Sequence, residues 1–89
     1  MAEVHLDAML REFASRRHLQ TGATTIGGLL DELEQEFPRL RFKLRDETGV
    51  LRRYVRVFVD GEDVSGGSGL ATPIGAARTV DILHSIAGG

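Results

Sequence analysis

The sequence has 89 residues, room for one small domain with a single core, and pairs 42% hydrophobic with 27% charged residues at a net charge of −2. That balance argues against disorder, and the charge is too mild to name a partner. Lack of cysteine excludes disulfides, thiolate metal sites and cysteine nucleophiles, and fits a reducing cytoplasm. Charges interrupt the first twenty residues and no apolar run approaches the ~20 of a membrane span, so the expectation is a cytoplasmic protein with neither signal peptide nor span.

From Val4 to Leu10 apolar residues alternate with His5, Asp7 and Met9, which predicts a strand with one buried face. Phe13 and Ala14 lead into a turn closed by Ser15, Arg16 and Arg17, and His18 to Thr21 reads as the return strand of a hairpin. Ile26, Leu29, Leu30, Leu33 and Phe37 then share one face of a helix, with Thr25 as N-cap and Pro38 as stop. Gly27 and Gly28 each cost that helix about 1 kcal/mol relative to alanine, so either a strand packs closely there or the weakness is tolerated.

Arg39 to Arg45 alternates basic and apolar side chains, predicting an extended segment whose Leu40, Phe42 and Leu44 face the core. Asp46 to Gly49 is a turn. The strongest strand pattern follows from Arg52 to Val59, ends at the turn pair Asp60-Gly61, and returns through Glu62 to Val64. Ser65 to Gly69 is a glycine-serine loop, after which Leu70 and Ile74 pin the connection to the core. Thr79 to Ile86 is the last strand and runs into Ala87-Gly88-Gly89. Consecutive strands interrupted by one helix imply an α+β fold with the helix on one face of a mixed sheet, and the first and last strands lie parallel if adjacent.

Val55, Val57, Val59, Val80 and Ile82 are expected to face the core, which turns Tyr54, Arg56, Phe58, Asp81 and Leu83 outward. Aromatic residues and arginine on an open face suggest a partner surface, provided that they are contiguous. A final diglycine would arise by chance about once in two hundred chains of average composition. Such an end is slender enough to enter a channel that any side chain would block.

Val57-Phe58-Val59-Asp60-Gly61-Glu62-Asp63-Val64, Ser68-Gly69-Leu70-Ala71-Thr72-Pro73-Ile74, Thr79-Val80-Asp81-Ile82-Leu83 and the terminal Ala87-Gly88-Gly89 together resemble the MoaD/ThiS family of ubiquitin-like sulfur carriers, closest to its CysO-like branch. The resemblance spans essentially the whole chain. It implies a β-grasp fold of four to five strands and one main helix, forming one domain over residues 1–89 with a flexible tail from about residue 86. It also implies a carrier that is not an enzyme: an E1-like adenylyltransferase of the MoeB/ThiF type spends ATP to adenylate the Gly89 carboxylate, and sulfur then displaces AMP to leave a thiocarboxylate. Leu83 matches an outward site that family members use against the activating enzyme, flanked by Tyr54, Arg56 and Phe58; Asp7 stands where some members carry an apolar residue. The implied acceptor is a cysteine synthase, with a JAMM-type metallopeptidase freeing the product. Molybdopterin, thiamin and tRNA thiolation are the other outlets, and conjugation to lysines as a protein modifier is the alternative role.

A noncovalent interaction module with an inert tail is the rival from another class. Residues 39 to 56 hold seven basic against two acidic side chains, a local +5, but a solvated face or a docking surface explains this as well as nucleic acid, which is disfavoured. His5, His18 and His84 lack metal-ligand spacing, and the glycine loop lacks the lysine and helix of a phosphate site, so neither a resident metal nor a bound cofactor is expected.

Overall fold

A computed structural model describes residues 1–14, 18–65 and 69–84, without the side chain of His18. The Ser15–Arg17 turn, the middle of the glycine-serine loop and the tail from Ser85 to Gly89 lie outside the described residues. The alternating amino-terminal segment forms β1 (Ala2–Leu6), which pairs antiparallel with β2 (His18–Thr21). β1 stops earlier than the alternation predicts. Leu10 to Glu12 turns as a 3₁₀ helix that drops Leu10 into the core, its amide bonded to the Asp7 carboxylate at 2.9 Å.

The helix α1 (Ile26–Glu36) starts where predicted, with the Thr25 hydroxyl accepting from the Gly28 amide at 3.1 Å. Ile26, Leu29, Leu30 and Leu33 are its buried stripe. Its first turn is also tied across to the 72–74 segment, since the Ile26 amide donates to Thr72 O at 3.0 Å and the Ile74 amide to Thr24 O at 2.8 Å. A Cβ at Gly27 would lie 3.2 Å from Leu70 O, so of the two alternatives close packing holds at Gly27, but against a 3₁₀ turn (Gly69–Ala71) and not a strand.

The basic stretch after the helix is not extended. Pro38 opens a 3₁₀ turn through Leu40, and both Leu40 and Leu44 are fully buried, while Phe42 between them is 54% exposed with φ 66°. Spacing by four places the two leucines under the end of the helix and throws the aromatic outward. The Asp46 turn is as predicted: its Oδ1 accepts from the amides of Thr48 at 2.8 Å and Val50 at 3.1 Å, and Gly49 takes φ 89°. These bonds, led by the Thr48 side chain, hold the Asp46 pKa below the usual carboxylate value.

β3 (Val55–Val59) and the short β4 (Glu62–Asp63) form a hairpin whose turn, Asp60-Gly61, has φ 50° and 87°, the pair of positive values that a type I′ turn requires. The Asp60 carboxylate accepts the amides of Arg78 and Thr79, both at 2.9 Å, and so fixes the start of β5 (Thr79–His84) beside that turn. Those amides, Thr79 first, lower the Asp60 pKa. β5 lies in the middle of the order β2-β1-β5-β3-β4, parallel to β1 and antiparallel to β3. Val4, Leu6, Val80, Ile82, Val55 and Val57 are buried on the face that the helix covers. The other face is open.

Candidate functional site

Strand register decides what that open face carries. Arg56 stands opposite Leu83 and Phe58 opposite Asp81, while on the other side of β5 His5 stands opposite Asp81 and Glu3 opposite Thr79. Residues paired across a sheet share a face, so β5 contributes Thr79, Asp81 and Leu83 between β1 and β3. Leu83 is 38% exposed, Arg56 is exposed and Phe58 is half-buried. Leu83 and Phe58 are diagonal neighbours, within reach of long side chains. Arg56 approaches Asp63 of β4 only to 3.9 Å, too long for a hydrogen bond and of small energetic weight at this exposure.

Next to this apolar pair is a charged cluster. His5 Nδ1 lies 3.0 Å from Asp81 Oδ1, and Nε2 lies 2.5 Å from Glu3 Oε1. Two carboxylates can both be satisfied only when both ring nitrogens carry protons, which is the imidazolium. The His5 pKa is accordingly raised, by Glu3 first and by Asp81, against the opposing cost of desolvation. The wet face of β1 was visible in the alternation of Glu3 and His5. Their convergence with Asp81 was not, because it requires the register of the final strand.

Tyr54 precedes β3, in the turn, and is half-buried against the core with its ring 4.7 Å from that of His84. It therefore buttresses the end of β5 beside Leu83. Asp7, anticipated as a polar interruption of the outer surface, points both carboxylate oxygens at backbone: Oδ1 to Leu10 and Oδ2 to the His84 amide at 2.7 Å. Sequence reasoning missed this role, since the bond to His84, unlike the local one to Leu10, requires the placement of the final strand. Ala87, Gly88 and Gly89 fall outside the described residues.

Among the described residues no three His, Asp or Glu side chains are grouped to hold a metal ion, and no helix is long and apolar enough to cross a membrane. Surface hollows lined by described residues occur near the helix end, the basic segment and the start of β3, and one bordered by Asp31, Glu34, Gln35, Pro38 and Arg41 is open and mixed in charge.

A mixed five-stranded sheet with one helix across a single face defines a ubiquitin-like β-grasp protein. The ThiS family model matches residues 4–89, and the chain belongs to the ThiS family. The sulfur carrier protein CysO of Mycobacterium tuberculosis is 33% identical over 76 residues, covering 83% of this chain and 82% of that protein. The crystal structure of M. tuberculosis CysO superposes with a TM-score of 0.83 at 28% identity, over 97% of this chain and 100% of its own. A chain of the Amycolatopsis orientalis BexX/CysO complex gives 0.85 at 26% identity, with both chains covered completely. Haloferax volcanii SAMP1 gives 0.78 at 26% identity, covering 99% of this chain and 98% of its own.

Proposed function

We propose that this chain is a sulfur carrier that works from the carboxyl group of Gly89. A carboxylate resists nucleophiles until its oxygen is made a leaving group. An E1-like adenylyltransferase joins the Gly89 carboxylate to AMP and releases pyrophosphate from ATP. Sulfide then attacks the carbonyl carbon, expels AMP and leaves a thiocarboxylate. The carrier supplies no catalytic group; ATP is the activating enzyme's substrate, and the chain itself binds no cofactor.

The observation that carries this reading is the ThiS match running to residue 89, and so through Gly88-Gly89, in a chain 33% identical to a protein named as a sulfur carrier. Cysteine biosynthesis is the favoured outlet, with a cysteine synthase as acceptor and a JAMM-type metallopeptidase releasing the product, a setting that places the protein in the cytoplasm. Its support is the similarity to CysO. Leu83, Phe58 and Arg56, with Tyr54 behind β5, form the surface that docks on the activating enzyme, while Ala87, Gly88 and Gly89 reach its active site. That a CysO chain of this fold occurs in a complex with BexX supports docking to a second protein in general.

Intact-mass measurement tests the proposal. Incubated with ATP, a MoeB/ThiF-type enzyme and a sulfur source, the protein should gain the mass difference of sulfur over oxygen, and deletion of Gly89 should abolish the gain without altering the fold. A second reading, ubiquitin-like modification, is favoured by the likeness to SAMP1. It predicts an isopeptide bond between Gly89 and a lysine in place of a free thiocarboxylate. No mass change of either kind would leave an interaction module with an inert tail.

A further inference from the structure

Charge is distributed unevenly among the surface hollows. Those at the helix end, beside Phe13 and beside Phe42 each mix acids with bases: Asp31 and Glu34 with Arg41, Glu12 and Glu36 with Arg11 and Arg39, and Glu34, Asp46 and Glu47 with Arg41 and Arg45. The hollow at the entry of β3 differs. It measures about 290 Å³ and is lined by Arg52, Arg53 and Arg56 with Leu51, Val55 and Ser65, so its described lining holds three cations and no acid.

These arginines are not used up by the fold's own carboxylates, as Arg45 is by Asp31 and Glu34 at 2.8 Å each. The Arg52 amide donates to Leu44 O, its carbonyl accepts from the Val55 amide, both at 2.9 Å, and its Nε donates to Phe42 O at 2.7 Å. Held at three points, the side chain keeps its terminal guanidinium nitrogens for a ligand. Arg53 is exposed and has neither a hydrogen bond nor an ion pair among the described residues. Arg56 comes only within 3.9 Å of Asp63, whose carboxylate already accepts the Ser65 amide at 2.9 Å. Asp46 acts on Arg52 through space, its Oδ1 being taken by the Thr48 and Val50 amides. Three guanidiniums against the one carboxylate within 4 Å leave an excess of two positive charges.

We propose that this hollow binds a phosphate-type oxyanion of two or more charges, either free or carried as a phosphomonoester on a protein side chain. Planar guanidinium forks match the oxygens of such a group, and two charges on the ligand cancel the excess. Buried Val55 and half-buried Leu51 keep water from part of the wall, which strengthens the attraction. Arg56 also belongs to the surface proposed for docking, but anion binding is measured without a partner, so the failure of either reading leaves the other standing.

The test is a titration of the ¹⁵N-labelled full chain with inorganic pyrophosphate, with a phosphoserine peptide and with acetate, at matched ionic strength. The expected result is saturable perturbation of the Arg52, Arg53, Arg56 and Ser65 amides by pyrophosphate or the phosphopeptide, weakened by added salt. Whichever binds more tightly identifies the source of the phosphate. Arg53→Gln, at a side chain with no role in the fold, should weaken binding about tenfold, the loss of a charge-assisted contact, at unchanged Tm. Arg39→Gln, outside the hollow, should leave the affinity as it was. Equal affinity of Arg53→Gln and the wild type would overturn the proposal. So would binding no tighter than that of acetate, perturbation centred on Arg41 and Arg45, or tighter binding of oligouridylate than of either phosphate probe, which would mark a nucleic-acid surface.

Discussion

Asp7 and His84 lie 77 positions apart in the chain, and the carboxylate of one accepts the backbone N–H of the other at 2.7 Å. With its second oxygen on the Leu10 amide, the same side chain both ends β1 and secures the end of β5, four residues before the diglycine. Charge-assisted bonds of this kind to backbone donors contribute more than neutral ones.

Replacing Asp7 with alanine should therefore destabilise the fold by about 1–3 kcal/mol, the cost of leaving backbone donors without an acceptor. Asp7→Asn keeps one acceptor oxygen and should fall between. Chemical denaturation gives the stability, and amide exchange at His84 and Leu10 shows whether those two donors are released; unchanged protection at both would refute the clamp.

Phe58→Asp places a charge at the centre of the proposed interface while the half-exposed site limits the effect on folding. Calorimetric titration against the activating enzyme should show affinity falling at least about tenfold. Unchanged affinity would remove Phe58 from the contact.

The His5 cluster gives a pH dependence with a definite sign. The folded-state pKa is raised, so the cluster's contribution to stability is fully present below the unfolded value of about 6.5 and disappears as pH rises through the folded value. His5→Gln should flatten this part of the stability profile, and Asp81→Asn should lower the pKa seen by NMR titration of the ring. An ordinary His5 pKa would mean that the two carboxylates do not both engage it.

The helix glycines should respond differently to alanine. At Gly28 a Cβ would meet Thr25 Oγ1 at 3.4 Å and Ala23 Cβ at 3.5 Å, near ordinary contact, and Gly28→Ala should raise stability by about 0.5–1 kcal/mol. At Gly27 the obstacle is the Leu70 backbone carbonyl at 3.2 Å, and Gly27→Ala should forfeit that gain. Thermal denaturation of the two variants side by side is sufficient, and an equal rise in both would show that the Leu70 turn yields.

What could be read from the sequence follows how locally each feature is encoded. Thr25, the Ile26–Leu33 stripe, Pro38 and Asp60-Gly61 act within a few residues of themselves, and each lies where its pattern places it. Phe42 misled because Leu40, Phe42 and Leu44 satisfy a strand's period and, with the first and third buried, a turn's spacing of four equally well; packing under the helix decided between them. That Arg56, Phe58 and Leu83 face outward was legible from alternation, whereas their contiguity needed the register of β3 against β5. The full roles of Asp7 and His5 were not, since each joins a local partner to a residue more than seventy positions away.

The central place of β5 has a consequence for biogenesis. Until Thr79 to His84 is available, β2-β1 and β3-β4 are separate two-stranded ribbons, each only marginally stable in water. The nascent polypeptide thus cannot complete its sheet while that segment remains within the ribosome. A copy cut short before β5 would therefore be left as two unjoined ribbons without a closed sheet.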